Sequence, residues 1–248
     1  KKLYEKKTKI IQNKYNYGYT KSCNQALRYA QKNHFDMVGL ISQDVKFLKN
    51  SITNIIKAKK KIKNRLFILS SLQIDEKNNY DFKSRKMFKE IVHKNNIIEM
   101  NIFSSPCWFI DKNIISKLGA LNEIFAHYGS DNEYGHRLQK IGGKVFLIRN
   151  SKIIHLRSFY KKHYSKDIHN MQIVSKHKTS AFLKLIINKS IIYSLYHLII
   201  RTTIFYFLGR ISLINLLKIV NIKNIFSLIQ LNKYKNDLFI PLNKKQNN

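Results

Sequence analysis

The chain has 248 residues, 44% of them hydrophobic and 24% charged. That composition excludes an intrinsically disordered segment, and the length suffices for one large domain, or one domain with an appendage, around a real core. The imbalance is in sign: 46 Lys and Arg face 14 Asp and Glu, a formal net charge of +32.

A surface of that kind attracts polyanions, namely nucleic acid, anionic lipid or nucleotide phosphates. The plain alternative is a bias towards Lys, Ile and Asn along the whole chain. Two cysteines, Cys23 and Cys107, are too few for a disulfide framework and fit a reducing compartment. The opening KKLYEKKTK holds no apolar run of the signal-peptide kind and no initiator Met, so residues are expected to precede it.

In chain order, residues 9–11 read as a short strand, and NKYNYGY follows at 13–19. A helix is expected over 19–32, with Ala26, Leu27 and Ala30 inward. Asn16 and Gly18 precede it, where free N–H groups at a helix start meet a phosphate or ribose; the same NxG pattern also serves as an ordinary turn. Residues 36–41 (DMVGLI) have the length of a buried strand and stop at Ser42-Gln43-Asp44. Ligands of open α/β sheets bind beyond the carboxyl ends of strands, so Asp44 reads either as a hard oxygen ligand for a divalent cation shared with a diphosphate, or as a residue that merely ends a strand.

A basic helix is expected at 50–63, a strand at 66–69, and a hairpin or mobile loop across the polar stretch 75–101. Residues 104–110 return to an apolar run holding the only tryptophan, Trp108. Asp111 then caps a short helix closed by Gly119, with Leu118, Leu121 and Phe125 as core candidates. In YGSDNEYGHR (128–137), Ser130 and Glu133 have capping-box spacing, which predicts a helix N-terminus with Asp131 in its first turn. Asp131 is then either a capping charge or a base at the rim of a cleft. Gly142-Gly143, a strand at 144–148 and the run SKIIHLRS at 151–158 complete an alternation that argues an α/β domain to about residue 160.

Residues 179–231 are rich in Ile, Leu, Phe and Tyr, interrupted by Lys184, Lys189, Arg201, Arg210, Lys218 and Lys223. The window 190–209 has spanning length, but an Arg near its middle costs about 2.5–3.5 kcal/mol on insertion scales. Two or three helices are expected instead, broken near Gly209 and around 221–224, packing partly on the α/β domain and partly on a membrane surface.

The order NYGYTKSCN, a strand ending in SQD, SSPCWFIDKNIISKLGALNEIFAHYGSDNEYGHRLQKIGGKVFLI and IIHLRS resembles the family 2 glycosyltransferases over about residues 8–160. The likeness is greatest to their bacterial rhamnosyltransferase-like or galactofuranosyltransferase-like branches. It implies an inverting enzyme with an α/β GT-A fold, a Rossmann-like nucleotide-sugar-binding domain at 1–160, followed by a helical, membrane-associating extension at 161–248. It also implies that two strands of the family's sheet lie before Lys1.

Residue by residue, the resemblance implies that Asn16, Gly18 and Asn24 line the nucleotide-sugar site together with Ser42 and Gln43. Asp44 matches the last Asp of the DXD-type metal motif, whose first Asp is Ser42 here, and His155 matches a His closing the metal site. Asp131 aligns with the catalytic base, Ser130 replaces the Glu before it, and Glu133 and Arg137 match supporting positions. Arg137 reads equally as a helix ion-pair partner, and His155 equally as a structural histidine. Trp108 falls where the family places acceptor-facing residues.

The resulting expectation is transfer of a sugar from a nucleotide-diphosphate sugar to a glycan or lipid-linked acceptor, with Mg²⁺ or Mn²⁺, in building bacterial surface polysaccharide. The protein is expected to be cytoplasmic and peripheral on an anionic membrane surface, with no nucleic acid partner. The alternatives are a catalytically inactive, membrane-associated scaffold and a basic nucleic-acid-binding protein.

Overall fold

The structure, a computed structural model, describes residues 10–63, 66–75, 77, 79–80, 95–100, 106–125, 128–156, 166–188, 190–234 and 236–242. Helix α1 (Tyr19–Lys32) spans the predicted residues and buries Cys23, Leu27 and Ala30 along one face, with Thr20 and Asn24 on the same side. Strand β1 (Met37–Ile41) and the short β2 (Val45–Phe47) follow. Helix α2 (Ser51–Lys61) is fixed by the Ser51 hydroxyl, which donates to the Lys152 carbonyl at 2.6 Å, and by the buried Ile55 and Ala58. Ile10 and Ile11 lie outside any strand, contrary to the expected strand there; Lys9 lies outside the described residues.

Strand β3 (Phe67–Ile74) runs beyond the expected end at residue 69 and is buried along its whole length. The polar Ser70-Ser71 step hid this: Ser71 is satisfied inside the sheet by the Ser151 hydroxyl at 2.8 Å. Strands β4 (Ile97–Met100) and β5 (Cys107–Asp111) lead into α3 (Lys112–Leu118). There the Asp111 carboxylate accepts from the Asn113 N–H at 3.0 Å, the expected cap. Helix α4 (Ser130–Lys140) and β6 (Lys144–His155) complete this half.

The sheet order is β1-β5-β3-β6-β2, with β4 also on β6. Strand β5 is antiparallel to both β1 and β3, and β3 is parallel to β6, so β1, β3 and β6 share one direction. Their carboxyl ends therefore lie at one end of the sheet, beside the start of β5. A register shift at Ser71/Leu72 bends β6, so that its first half pairs with β4 and its second with β2. One core lies between the sheet and α1, α3 and α4; a second lies between the sheet and α2.

Five helices follow where two or three were expected: α5 (Lys166–Asn188), α6 (Ile191–Leu198), α7 (Ile200–Phe207), α8 (Leu213–Ile219) and α9 (Ile222–Tyr234). The extra interruptions come from the Ser190 cap, whose hydroxyl accepts from the Tyr193 N–H, and from a turn at Ile199. The helices share a core of Phe182, Leu185, Leu198, Ile219 and Leu228, to which Phe125 of the α/β half belongs. Phe125 meets Phe182 edge-on at 6.2 Å, and the Thr179 hydroxyl donates to the Tyr128 carbonyl at 3.0 Å.

Beyond α9 the chain returns. The Ile240 N–H donates to the Leu118 carbonyl at 3.0 Å, and the Ala120 N–H donates to the Ile240 carbonyl at 2.8 Å. Gly119 has φ +66, and a Cβ there would stand 1.8 Å from the Ile240 oxygen, so the crossing demands glycine. Residues 237–242 thus strap the helical layer to the α/β half.

Candidate active site

The end of the sheet where β1 and β6 finish brings Ser42, Gln43 and Asp44 together with His155. Ser42-Gln43-Asp44 turns off β1, held by the Ser42 N–H donating to the Pro106 carbonyl at 2.7 Å and the Val45 N–H donating to the Ser42 carbonyl at 3.2 Å. The chain then re-enters as β2, in which Val45 pairs with His155. The Leu156 N–H donates to the Asp44 carbonyl at 2.9 Å, so the backbones of residues 44 and 155 are fixed against each other. The side chains follow: Asp44 Oδ2 and His155 Nε2 lie 2.9 Å apart, with the His ring almost wholly covered and the carboxylate partly open. Two residues 111 apart in sequence, paired only by resemblance, therefore meet as one carboxylate–imidazole unit.

Asp131 stands in the first turn of α4, partly exposed. Its Oδ1 accepts from the Asn132 N–H at 2.9 Å and from Asn132 Nδ2 at 3.2 Å, which sets the carboxylate's orientation. The Tyr19 phenol at the start of α1 is close enough to feel the charges of Asp131 and Cys107. Burial above all, together with the bond to the Cys23 sulfur, holds that phenol well above the tyrosine range, so it remains a neutral O–H donor. Tyr19, to which the sequence reading gives no role, bonds Cys23 one turn along α1. Its signal was its place directly after Gly18. Gly18 itself is buried, and Asn16 is exposed with its side-chain oxygen accepting from the Gly18 N–H at 2.9 Å.

Five expectations are corrected by the packing. Ser130 is not the N-cap: Gly129, at φ +85, occupies that position, and the Glu133 N–H donates to the Gly129 carbonyl at 2.9 Å. A Cβ on Gly129 would stand 2.3 Å from the Thr179 methyl, so α5 braces the very start of α4. Glu133 does not close a capping box, because its two carboxylate oxygens take Arg137 Nε at 2.7 Å and Nη2 at 3.0 Å. Arg137 further donates to the carbonyls of Leu118, Ala120 and Leu238, so this buried pair clamps the α3–α4 connection and the strap rather than facing a substrate. Burial pushes the Glu133 carboxyl above its ordinary range against the pull of Arg137.

Trp108 does not face an acceptor. It is buried in the core and packs on Tyr134 with ring centroids 6.3 Å apart. Asn24 does not line a donor site either; its amide is consumed by Leu121, accepting from the Leu121 N–H at 2.8 Å and donating to the Leu121 carbonyl at 2.9 Å. The two thiols are also structural. Burial raises Cys23 to about 11 and Cys107 to about 12, although each accepts a hydrogen bond, from Tyr19 and Ser71 respectively.

The fold and this end of the sheet define a mixed α/β domain with a carboxylate–imidazole pair and a helix-borne aspartate at the carboxyl ends of its parallel strands. No protein-family model matches the sequence, and no curated protein matches it. Among solved structures, the chain is similar to the crystal structure of GalNAc-T7 with UDP, GalNAc and Mn²⁺, at a TM-score of 0.47 and 12% identity, over 62% of this chain and 33% of that one. The chain therefore spans about a third of the length of that protein.

Proposed function

We propose that the protein transfers a sugar from a nucleoside-diphosphate sugar to a glycan or lipid-linked acceptor with inversion, in the assembly of a bacterial surface polysaccharide. The observation that carries this reading is the Asp44–His155 contact at the end of β1 and β6. A carboxylate oxygen and an imidazole nitrogen 2.9 Å apart, with no third His, Cys, Asp or Glu grouped with them among the described residues, would suit a divalent cation that takes its other ligands from a substrate diphosphate and water. Mg²⁺ or Mn²⁺ held there supplies Lewis-acid stabilisation of the departing diphosphate.

The rest of the chemistry falls to the chain. In an inverting displacement the acceptor oxygen forms a bond to the anomeric carbon while the bond to the diphosphate breaks, and the electron pair leaves with the phosphate. The acceptor's hydroxyl proton passes to the Asp131 carboxylate, which the Asn132 backbone N–H and side-chain amide aim. Asn16, Gly18, Ser42 and Gln43 offer backbone and amide groups to the nucleotide and its sugar.

The test is thermal denaturation against a panel of nucleoside-diphosphate sugars, each with and without Mn²⁺. A Mn²⁺-dependent stabilisation by one donor, lost in Asp44→Ala and kept in Asp131→Asn, is expected, with transfer abolished in Asp131→Asn. Turnover retained by Asp131→Asn overturns the base assignment. Absence of any donor shift in the folded protein replaces the whole reading with the inactive-scaffold one.

A further inference from the structure

The helical layer α6–α9 buries polar groups beside its apolar core and leaves many large apolar side chains outside. Ser194, Thr202 and Asn215 are 0%, 0% and 2% exposed, and Asn224 is buried with them. Ile192, Phe207 and Ile222 are 79%, 80% and 73% exposed, and Leu208, Leu213, Ile214, Leu217 and Phe226 are open as well. The inward polar groups are not accidents of packing. Thr202 bonds the His197 carbonyl, Asn215 bonds Asn170, and the Asn224 amide donates to the carbonyls of Lys218 and Ile219.

A helix that turns its amides inward and its Phe and Ile outward has an apolar environment outside it. The outward side chains recur at helical spacing, at 193, 196, 200, 204 and 207 through α6 and α7, and at 222, 226 and 229 in α9.

Charge identifies that environment. Arg201, Arg210, Lys218, Lys223 and Lys233 are exposed among these apolar residues, and no Asp or Glu occurs anywhere from residue 168 to residue 236. A second protein chain gives no reason for so one-sided a boundary, whereas an anionic bilayer needs exposed apolar side chains to enter the acyl boundary and cations to meet its phosphates. Residues 213–233 are long and apolar enough to cross a membrane, but the chain breaks at Val220–Asn221, between α8 and α9, and carries Lys218 and Lys223 on either side of the break. The layer is therefore fit to lie in the interface rather than to span it.

We infer that α6–α9 form an interfacial docking surface for an anionic lipid bilayer. The inference stands on the exposed apolar side chains and the missing acids, and it holds whether or not the sheet end transfers sugar.

The test is co-sedimentation of the protein with vesicles of phosphatidylcholine alone and of phosphatidylcholine mixed with phosphatidylglycerol, across a salt series. Wild type is expected to bind the anionic vesicles and to weaken with salt. The variant Phe207→Ser/Leu208→Ser/Leu217→Ser is expected to lose about tenfold or more in partitioning with an unchanged melting temperature. The single variant Phe207→Ser shows the same direction if the triple fails to fold.

Undiminished binding by Phe207→Ser and the triple variant overturns the inference, because adsorption is then a matter of the +32 charge alone. Equal binding to neutral vesicles, or no binding at all, overturns it too. So does a stable dimer in light scattering that the same substitutions dissolve, which would make a second copy the occupant.

Discussion

The α/β half and the helical layer solve the same problem in opposite ways. In the first, apolar side chains fill both sides of the sheet, and the deepest charges, Glu133 and Arg137, pair with each other while Arg137 also donates to backbone carbonyls. In the second, much of the Ile, Leu and Phe lies outside and small polar groups lie within. Burial is thus a guide to stability in the first half, whereas in the second it separates residues that hold the fold from residues kept for a partner.

The largest effect should come from the clamp. Arg137→Met leaves Glu133 buried without its partner and frees three carbonyls, and should cost about 3–5 kcal/mol by urea denaturation. A loss under about 1 kcal/mol would show that the pair is dispensable and that the halves differ less than their packing suggests.

Next stands a pair of substitutions two residues apart in α9. Leu228, fully buried in the shared helical core, should cost about 2–5 kcal/mol on conversion to alanine. Phe226, which is exposed, should change stability by no more than about 0.5 kcal/mol on the same conversion, despite its larger side chain. Equal costs would mean that the outward face is covered within the protein itself.

A smaller effect separates charge from packing in the clamp. Burial holds the Glu133 carboxyl above 4.5, its ordinary value, so the folded chain binds this proton before the unfolded chain does. The stability it adds is complete below that value and is lost as pH rises through the folded one. Urea midpoints of wild type and Glu133→Gln, followed from about pH 4 to about pH 8, should therefore diverge in favour of wild type towards acid. The smallest signal is chemical: Cys23 and Cys107, both buried and protonated, should resist thiol reagents in the native protein and react once it is unfolded.

Where local chemistry decides, the sequence was readable. The bounds of α1, the Asp111 cap and Gly119 at the end of α3 follow from signals within a few residues. The misreadings come from competing local signals, such as the Ser190 cap and the Glu133–Arg137 pair, and from long-range contacts. Ser130 and Glu133 have capping-box spacing, but Arg137 and the Thr179 methyl against Gly129 decide how α4 begins. Asn24 lies in the right motif and is claimed by Leu121, 97 residues away. Trp108 sits on a strand with neighbours on both edges and helices on both faces, so no side of it is open. At the site, the helix carrying Asp131 and the strand ending in SQD were legible, and the Asp44–His155 contact was reachable only through resemblance, since β2 is three residues long and carries no periodic signal.

The strap gives the chain an order of completion. The carbonyls of Leu118 and Ala120 and the Arg137 guanidinium come early from the ribosome, yet the strand that crosses them, and the Leu238 carbonyl, lie 101 or more residues later. The strap contacts of the α/β half cannot form until residue 240 has emerged, by which time the helices described between residues 166 and 234 exist and can pack. Sheet and helices should therefore melt as one cooperative unit, and nascent chains halted before residue 237 should be far more open to protease around residues 118–120 than those halted well past residue 242.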